Sequence, residues 1–278
     1  MLQHHTPSSC YSCPICGSSL QSKLSANSYN CQNNHHFDLA KEGYLNLLPA
    51  QHKRSVEPGD NKPMMQARRE FLEAGYYEPL AKAVASLINA NQAEHLLDLG
   101  CGEGYYSRHI EAHCASKLIL HGLDIAKFAV RAAAQKQPKA NFIVASVNRL
   151  PYADQYFDFL LKIFAPSNPL ELLRVLKPSG LLLTVTPGPR HLWQLKEFIY
   201  SEVHEHLLTH DLPHGFELVD RQRISYTISP NPQQRVALLQ MTPFAWRANE
   251  NVQLALKAAI ELSIETDFIV TLAVKTAP

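Results

Sequence analysis

The run His95-Leu96-Leu97-Asp98-Leu99-Gly100-Cys101-Gly102-Glu103-Gly104-Tyr105-Tyr106 decides how the rest of the chain is read. Its apolar opening, broken by one acid, predicts a buried strand feeding a tight turn. The alternating glycines admit backbone angles closed to other residues and let a ligand approach the main chain closely. A nucleotide-like cofactor fits such a turn. A dinucleotide does not, because its fingerprint needs glycine at the sixth position, where Tyr105 stands. A second apolar run, Leu118 to Asp124, also ends in an acid. Asp124 follows the glycines by about 20 residues, the place of an acid that accepts hydrogen bonds from both ribose hydroxyls. The plainer alternative is a strand–turn–helix that holds no ligand.

Outward from these two strands the pattern alternates. Helices are predicted at 105–114 and 126–136, strands at 141–146 and 157–164, a helix at 169–176, a strand at 181–187 and a helix at 192–206. This alternation predicts an α/β fold with a doubly wound, Rossmann-like parallel sheet. Upstream, a helix begins near Met64 and stops at Gly75, and a second ends near Asn91. Downstream come a strand at 222–229, helices from Gln233 and over 250–263, and a last strand from Phe268 to Val274. A late hairpin-like pair of this kind closes the sheet and is foreign to a dinucleotide fold. The expected division is a 1–50 zinc-binding module, a 51–75 basic linker and helix, and a 76–278 catalytic domain.

The first module rests on Cys13-Pro14-Ile15-Cys16-Gly17, then Cys31 and His35. C-x2-C with a turn glycine sets two thiolates on one cation, and a second pair closes a tetrahedron. Four protein ligands mean a structural zinc, with Cys13, Cys16, Cys31 and His35 as the set and His36 as an alternative fourth ligand. Buried cysteines without metal are the bland reading. Residues 37–49 look like a short hairpin closing this module. The stretch Gln51 to Arg69 carries Lys53, Arg54, Lys62, Arg68 and Arg69 against Glu57 and Asp60, with a turn at Pro58-Gly59-Asp60. It reads equally as a phosphate-contacting linker or as a solvated connector.

Composition narrows the class. Of 278 residues, 46% are hydrophobic, enough for a sizeable core, and no run is long enough to span a membrane. A net charge of +1 confines any nucleic-acid surface to local patches. The polar stretch from Met1 to Ser12 has no apolar signal core, and the six cysteines do not form a disulfide framework. Both point to a cytoplasmic protein.

Asp98 with Gly100, Gly102 and Gly104 resembles motif I of class I S-adenosylmethionine (SAM) methyltransferases. That resemblance assigns Asp98 and the three glycines to the cofactor, beside the Asp124 already read from the second strand. It leaves Ser146 where the superfamily often has an aspartate near the adenine. The wider pattern resembles the RlmA family of 23S ribosomal RNA (guanine-N1)-methyltransferases. It is carried by the Cys13/Cys16/Cys31/His35 module, Ala40 to Tyr44, Gln51 to Ser55, Met64 to Arg69, Asp98 to Tyr106, Pro187 to Leu192 and Leu239 to Arg247. The resemblance implies methyl transfer from SAM to N1 of a guanine in a hairpin of domain II of 23S rRNA. It further implies RNA recognition by the zinc module, a homodimer, and SAM contacts at Tyr77, Gly102, Glu103 and His191. His191 is the candidate catalytic base, with Lys162 as a candidate for stabilising a developing O6 anion; Phe164 is either core or a partner for a base. Two rivals stay open: a SAM methyltransferase of a small molecule such as a quinone precursor, and a non-enzymatic zinc-dependent RNA-binding factor.

Overall fold

The computed structural model describes residues 10–23, 27–49, 61–114, 117–207 and 212–276. Residues 50–60, with Lys53, Arg54, Glu57 and the Pro58-Gly59-Asp60 turn, lie outside the described residues. Strands β1 (Gln21–Lys23), β2 (Ser28–Asn30) and β3 (His36–Asp38) form a small antiparallel sheet. The large sheet has eight strands in the order β10-β11-β9-β8-β5-β6-β7-β4. Its centre is β5 (His95–Leu99), which pairs in parallel with β6 (Ile119–Asp124) on one side and β8 (Phe157–Ile163) on the other. Strands β7 (Asn141–Val144) and β9 (Leu176–Pro187) extend the parallel run outward. Beyond β9, β11 (Ile264–Lys275) runs antiparallel, and β10 (Phe216–Ile228) runs antiparallel to β11. This is the class I SAM methyltransferase order. The chain steps away from β5 in opposite directions after β7, so the crevice falls at the carboxyl ends of β5 and β8.

Both faces of the central strands are buried, which is why they read as continuous apolar runs. Leu96, Phe159, Leu161 and Leu183 face one core, together with helices α1 (Lys62–Glu73), α2 (Glu78–Ala90), α3 (Tyr105–His113), α4 (Lys127–Lys136) and α7 (Pro232–Gln240). Leu97, Ile143, Leu160 and Leu182 face the other, with Leu172 and Val175 of α5 (Pro169–Val175). The crossover between β7 and β8 carries no helix. The zinc module fills that place: Tyr11, Leu20 and Tyr29 belong to the second core. Tyr11 packs on Tyr152 at 5.4 Å, the Ser12 N–H donates to the Pro151 carbonyl, and the Ala153 N–H donates to the Cys10 carbonyl.

Two sequence expectations need correction. Residues 37–49 do turn back at Gly43, but β4 (Tyr44–Asn46) pairs in parallel with β7 as the outer strand of the large sheet. The range 1–50 therefore contains part of the catalytic sheet. The helix expected over 192–206 is only α6 (Trp193–Glu197). After Tyr200 the chain folds back so that the His206 N–H reaches the Pro189 carbonyl and its ring meets the Lys196 ammonium at 2.8 Å. Those tertiary contacts override local helix preference.

Candidate functional site: a glycine-turn cleft and a Cys3His centre

The glycine turn sits at the carboxyl end of β5. Gly100, Gly102 and Gly104 have φ of +71°, +54° and +72°, the left-handed region that side chains other than glycine enter at a cost. The Gly100 and Cys101 N–H groups donate to the Leu123 carbonyl at the end of β6, so the turn is pinned to the neighbouring strand. Asp124 is aimed by two backbone donors: Gly102 N–H at 3.0 Å and Ala126 N–H at 2.8 Å. A carboxylate at the end of the strand beside the glycine turn is suited to a pair of ribose hydroxyls. Ser146 follows the end of β7, next to β6, and its hydroxyl accepts from the Asn148 N–H at 3.2 Å. Gly100, Gly102, Gly104, Asp124 and Ser146 thus lie at the carboxyl ends of β5, β6 and β7, with Asp98 buried in β5 just before the turn.

Asp98 is buried, and its carboxylate accepts from the Ser107 hydroxyl at 2.6 Å. Burial, helped by the nearby Asp124 charge, pushes its carboxyl up to about 7, against the pull of Ser107. The sign follows: the folded protein holds this proton more tightly than the unfolded chain. Stability present below pH 4 is lost as pH rises toward 7, by up to about 4 kcal/mol. Asp98→Asn removes that slope. The variant should gain on wild type between pH 5 and pH 8, measured by urea unfolding without cofactor. A pH-independent difference between the two would refute a protonated Asp98.

Glu103, expected to contact the cofactor, is held from helix α1. Arg69 of α1 grips both its oxygens, Nε to Oε2 at 2.6 Å and Nη2 to Oε1 at 2.5 Å. Lys136 stands 3.8 Å away and pairs with Glu73 as well. Helix α1 therefore lies over the glycine turn, and a Cβ on Gly102 would come within 3.8 Å of the Met65 Cε. Met65, Arg69 and Ser107 were not singled out for this cleft; nothing local in the sequence marks them, since the fold alone brings α1 across β5.

The other side of the cleft is aromatic. Tyr77, ahead of α2, is buried edge-on to Phe71 and Phe268 and lies 6.4 Å from the His191 ring. His191 closes a stiff loop built on Asp267. The Asp267 carbonyl accepts from Gly188 N–H, its carboxylate from Arg190 N–H, and its own N–H donates to His191 Nδ1 at 3.2 Å. Arg223 pairs with the same fully buried carboxylate through two donors. Burial, with the Lys196 charge nearby, pulls the His191 imidazole down to about 3, so it is neutral. With Nδ1 accepting, the ring proton sits on Nε2. His191 is arranged as a hydrogen-bond donor, not as the base expected from sequence. Asp158 binds the Glu94 and His95 N–H groups at the far end of the sheet and takes no part in the cleft. Lys162 is half-buried, its ammonium 3.2 Å from the Ser167 hydroxyl, and burial lowers its pKa.

The second site is Cys13, Cys16, Cys31 and His35, whose ligand atoms all lie within 4.8 Å of one another. Cys16 Sγ is 3.7 Å from Cys31 Sγ, and His35 Nδ1 is 3.4 Å from both Cys13 Sγ and Cys31 Sγ. A tetrahedron with Zn–S of about 2.3 Å and Zn–N of about 2.0 Å has edges of about 3.8 and 3.5 Å, so zinc fits. Gly17 and Asn34, at φ +78° and +60°, close the two ligand turns. His36 is exposed on β3 and stands outside the cluster, which resolves the choice of fourth ligand in favour of His35. Cys10 is buried and apart from the metal set.

Comparison with known proteins gives two domain matches. Residues 11–56 match the zinc-ribbon family model described as RlmA, N-terminal, and residues 96–180 match the methyltransferase domain. The 23S rRNA (guanine(748)-N(1))-methyltransferase of Streptomyces fradiae is 34% identical over 84% of this chain and 85% of its own length. The Bacillus subtilis protein YxjB, provisionally named a 23S rRNA (guanine-N(1)-)-methyltransferase, is 30% identical over 94% of this chain and 96% of its own. A Micromonospora griseorubida protein with the same provisional name is 31% identical over 94% and 95%.

Proposed function

Since the chain belongs to the family of 23S rRNA (guanine-N1)-methyltransferases, we propose that it transfers the methyl group of SAM to N1 of a guanine in a hairpin of domain II of 23S rRNA. The observation that carries this reading is one core in which the Cys3His ribbon packs against Leu97, Leu99 and Leu123 of the strands that end in the glycine turn and Asp124.

The residues fit both cofactors. Asp124 takes the ribose, Ser146 stands toward the adenine, and the Gly100–Gly104 backbone gives the close approach that a nucleoside with an amino-acid tail needs. SAM supplies a methyl made electrophilic by its sulfonium. The chain's own work is mainly alignment, because an in-line displacement gains most from fixed geometry. Tyr77 covers the methionine end and excludes water. His191, held by the Asp267 N–H, offers Nε2–H as a donor. Methylation at N1 leaves S-adenosylhomocysteine and releases the N1 proton to solvent, and Lys162, at the end of β8, stands as a cation for the charge that develops on the guanine O6. N1 is hidden in a paired stem, so the guanine enters unpaired or flipped out. The zinc ribbon and the basic 51–69 stretch serve RNA recognition, and the enzyme works in the cytoplasm as a homodimer, as the family resemblance implies. No helix among the described residues is long and apolar enough to cross a membrane.

The test is methyl transfer from labelled SAM to bulk RNA lacking this modification, with the modified nucleoside identified by mass spectrometry. N1-methylguanosine confined to 23S rRNA is the expected product. Intact SAM binding with no transfer to RNA would favour a small-molecule acceptor, and failure to bind SAM would favour a non-enzymatic RNA-binding factor.

A further inference from the structure

Phe164 is an anomaly at the mouth of the cleft. It has φ of +52°, a conformation that a bulky side chain adopts only where the surrounding structure imposes it. It is also 46% exposed, so the strain does not serve burial of the ring. Its N–H still donates to the Val185 carbonyl, which extends the β8–β9 ladder by one bond and fixes the residue at the sheet's edge. One side of the ring is backed by His191, at 5.9 Å between centroids and 28° between planes, with Phe268 at 6.0 Å behind. The next residue touches the cofactor turn: a Cβ on Gly100 would come within 2.7 Å of the Ala165 Cβ. An aromatic face is thus held open, braced from behind, and directly beside the turn that holds the methyl donor.

We propose that Phe164 is the stacking platform for the acceptor purine, with its phenyl ring clamped between the His191 imidazole and the flipped base. The inference rests on the RNA-methylation reading above and adds the acceptor subsite to it. A planar base satisfies an exposed ring face in a way that an aliphatic substrate does not. The stack sets the plane of the guanine, with the His191 imidazole bracing the phenyl ring from the side away from the base. The left-handed backbone turns the ring out of the core and toward the cleft.

The experiment uses full-length protein, SAM and an unmodified hairpin of 23S rRNA domain II. Phe164→Ala and Phe164→Leu should both lower kcat/KM for RNA by about 5- to 150-fold, the range equivalent to 1–3 kcal/mol of base–aromatic stacking. Phe164→Tyr and Phe164→Trp should stay within about threefold of wild type. SAM affinity by calorimetry should be unchanged in all four, and melting temperatures should stay within about 4 °C of wild type. A hairpin with an abasic target position should bind wild type and Phe164→Ala alike, while the intact hairpin binds wild type more tightly. Wild-type kcat/KM in Phe164→Leu would overturn the platform, because leucine fills volume but cannot stack. Parallel loss of SAM binding would also overturn it and make Phe164 part of the cofactor site. Absence of transfer by the wild-type enzyme would overturn the functional reading itself, and the platform with it.

Discussion

Stripping the metal from Cys13, Cys16, Cys31 and His35 is expected to destabilise the whole protein, not the ribbon alone. The sequence alone suggests a separate 1–50 module that serves RNA recognition. The structure joins that module to the catalytic sheet. Tyr11, Leu20 and Tyr29 share one core with Leu97, Ile143 and Leu160 of the catalytic sheet. That sheet also takes its outer strand, Tyr44–Asn46, from within the segment that matches the zinc-ribbon family. His121 is fully buried beneath Tyr11 and Tyr152, both of which meet it edge-on. Metal binding supplies about 10–16 kcal/mol of folding free energy in small ribbons, comparable to the whole stability of a domain. Even about 5 kcal/mol lost to the shared core lowers the melting temperature by about 10–20 °C at this size. Cys31→Ser, with zinc counted by atomic absorption and unfolding followed by calorimetry, should lose the metal, melt in one lowered transition and bind SAM more weakly. A separate early transition with the main one unmoved would mean that the ribbon folds as an independent appendage.

The second large effect is at the glycine turn. Gly102→Arg should lower SAM affinity at least 100-fold and abolish methyl transfer, while the protein still folds. At Gly102 a Cβ meets nothing nearer than the Met65 Cε at 3.8 Å, so the space is open, and the left-handed φ costs about 1–2 kcal/mol. The arginine fills the volume between α1 and the turn, next to Asp124. Gly100→Ala is the informative contrast. Its Cβ would press to 2.7 Å on Ala165, forcing the Phe164–Asn168 loop away from the turn, so both stability and cofactor binding should fall. Calorimetric titration with SAM checks both variants. Wild-type affinity in Gly102→Arg would place the cofactor elsewhere.

Much of this molecule was legible in the order of its residues. The run from His95 to Tyr106, with Asp124 after it, was enough to place a strand, a left-handed turn and an acid at the end of the neighbouring strand, because these are local demands of backbone angle and spacing. Cys13, Cys16, Cys31 and His35 were legible for the same reason: a C-x2-C turn fixes two ligands without help from the rest of the chain. Tertiary structure alone decided what each of these groups does next. Whether Glu103 meets cofactor or Arg69 depends on where α1 lies. Whether His191 accepts or donates a proton depends on the Asp267 N–H, 76 positions away in the chain. That Tyr44–Asn46 joins the catalytic sheet, and that the ribbon stands in for a crossover helix, follows from burying both faces of β5 to β8. Spacing along the chain encodes which groups can form a site; protonation, orientation and domain boundary depend on distant partners, and only the packed fold brings those within hydrogen-bonding reach.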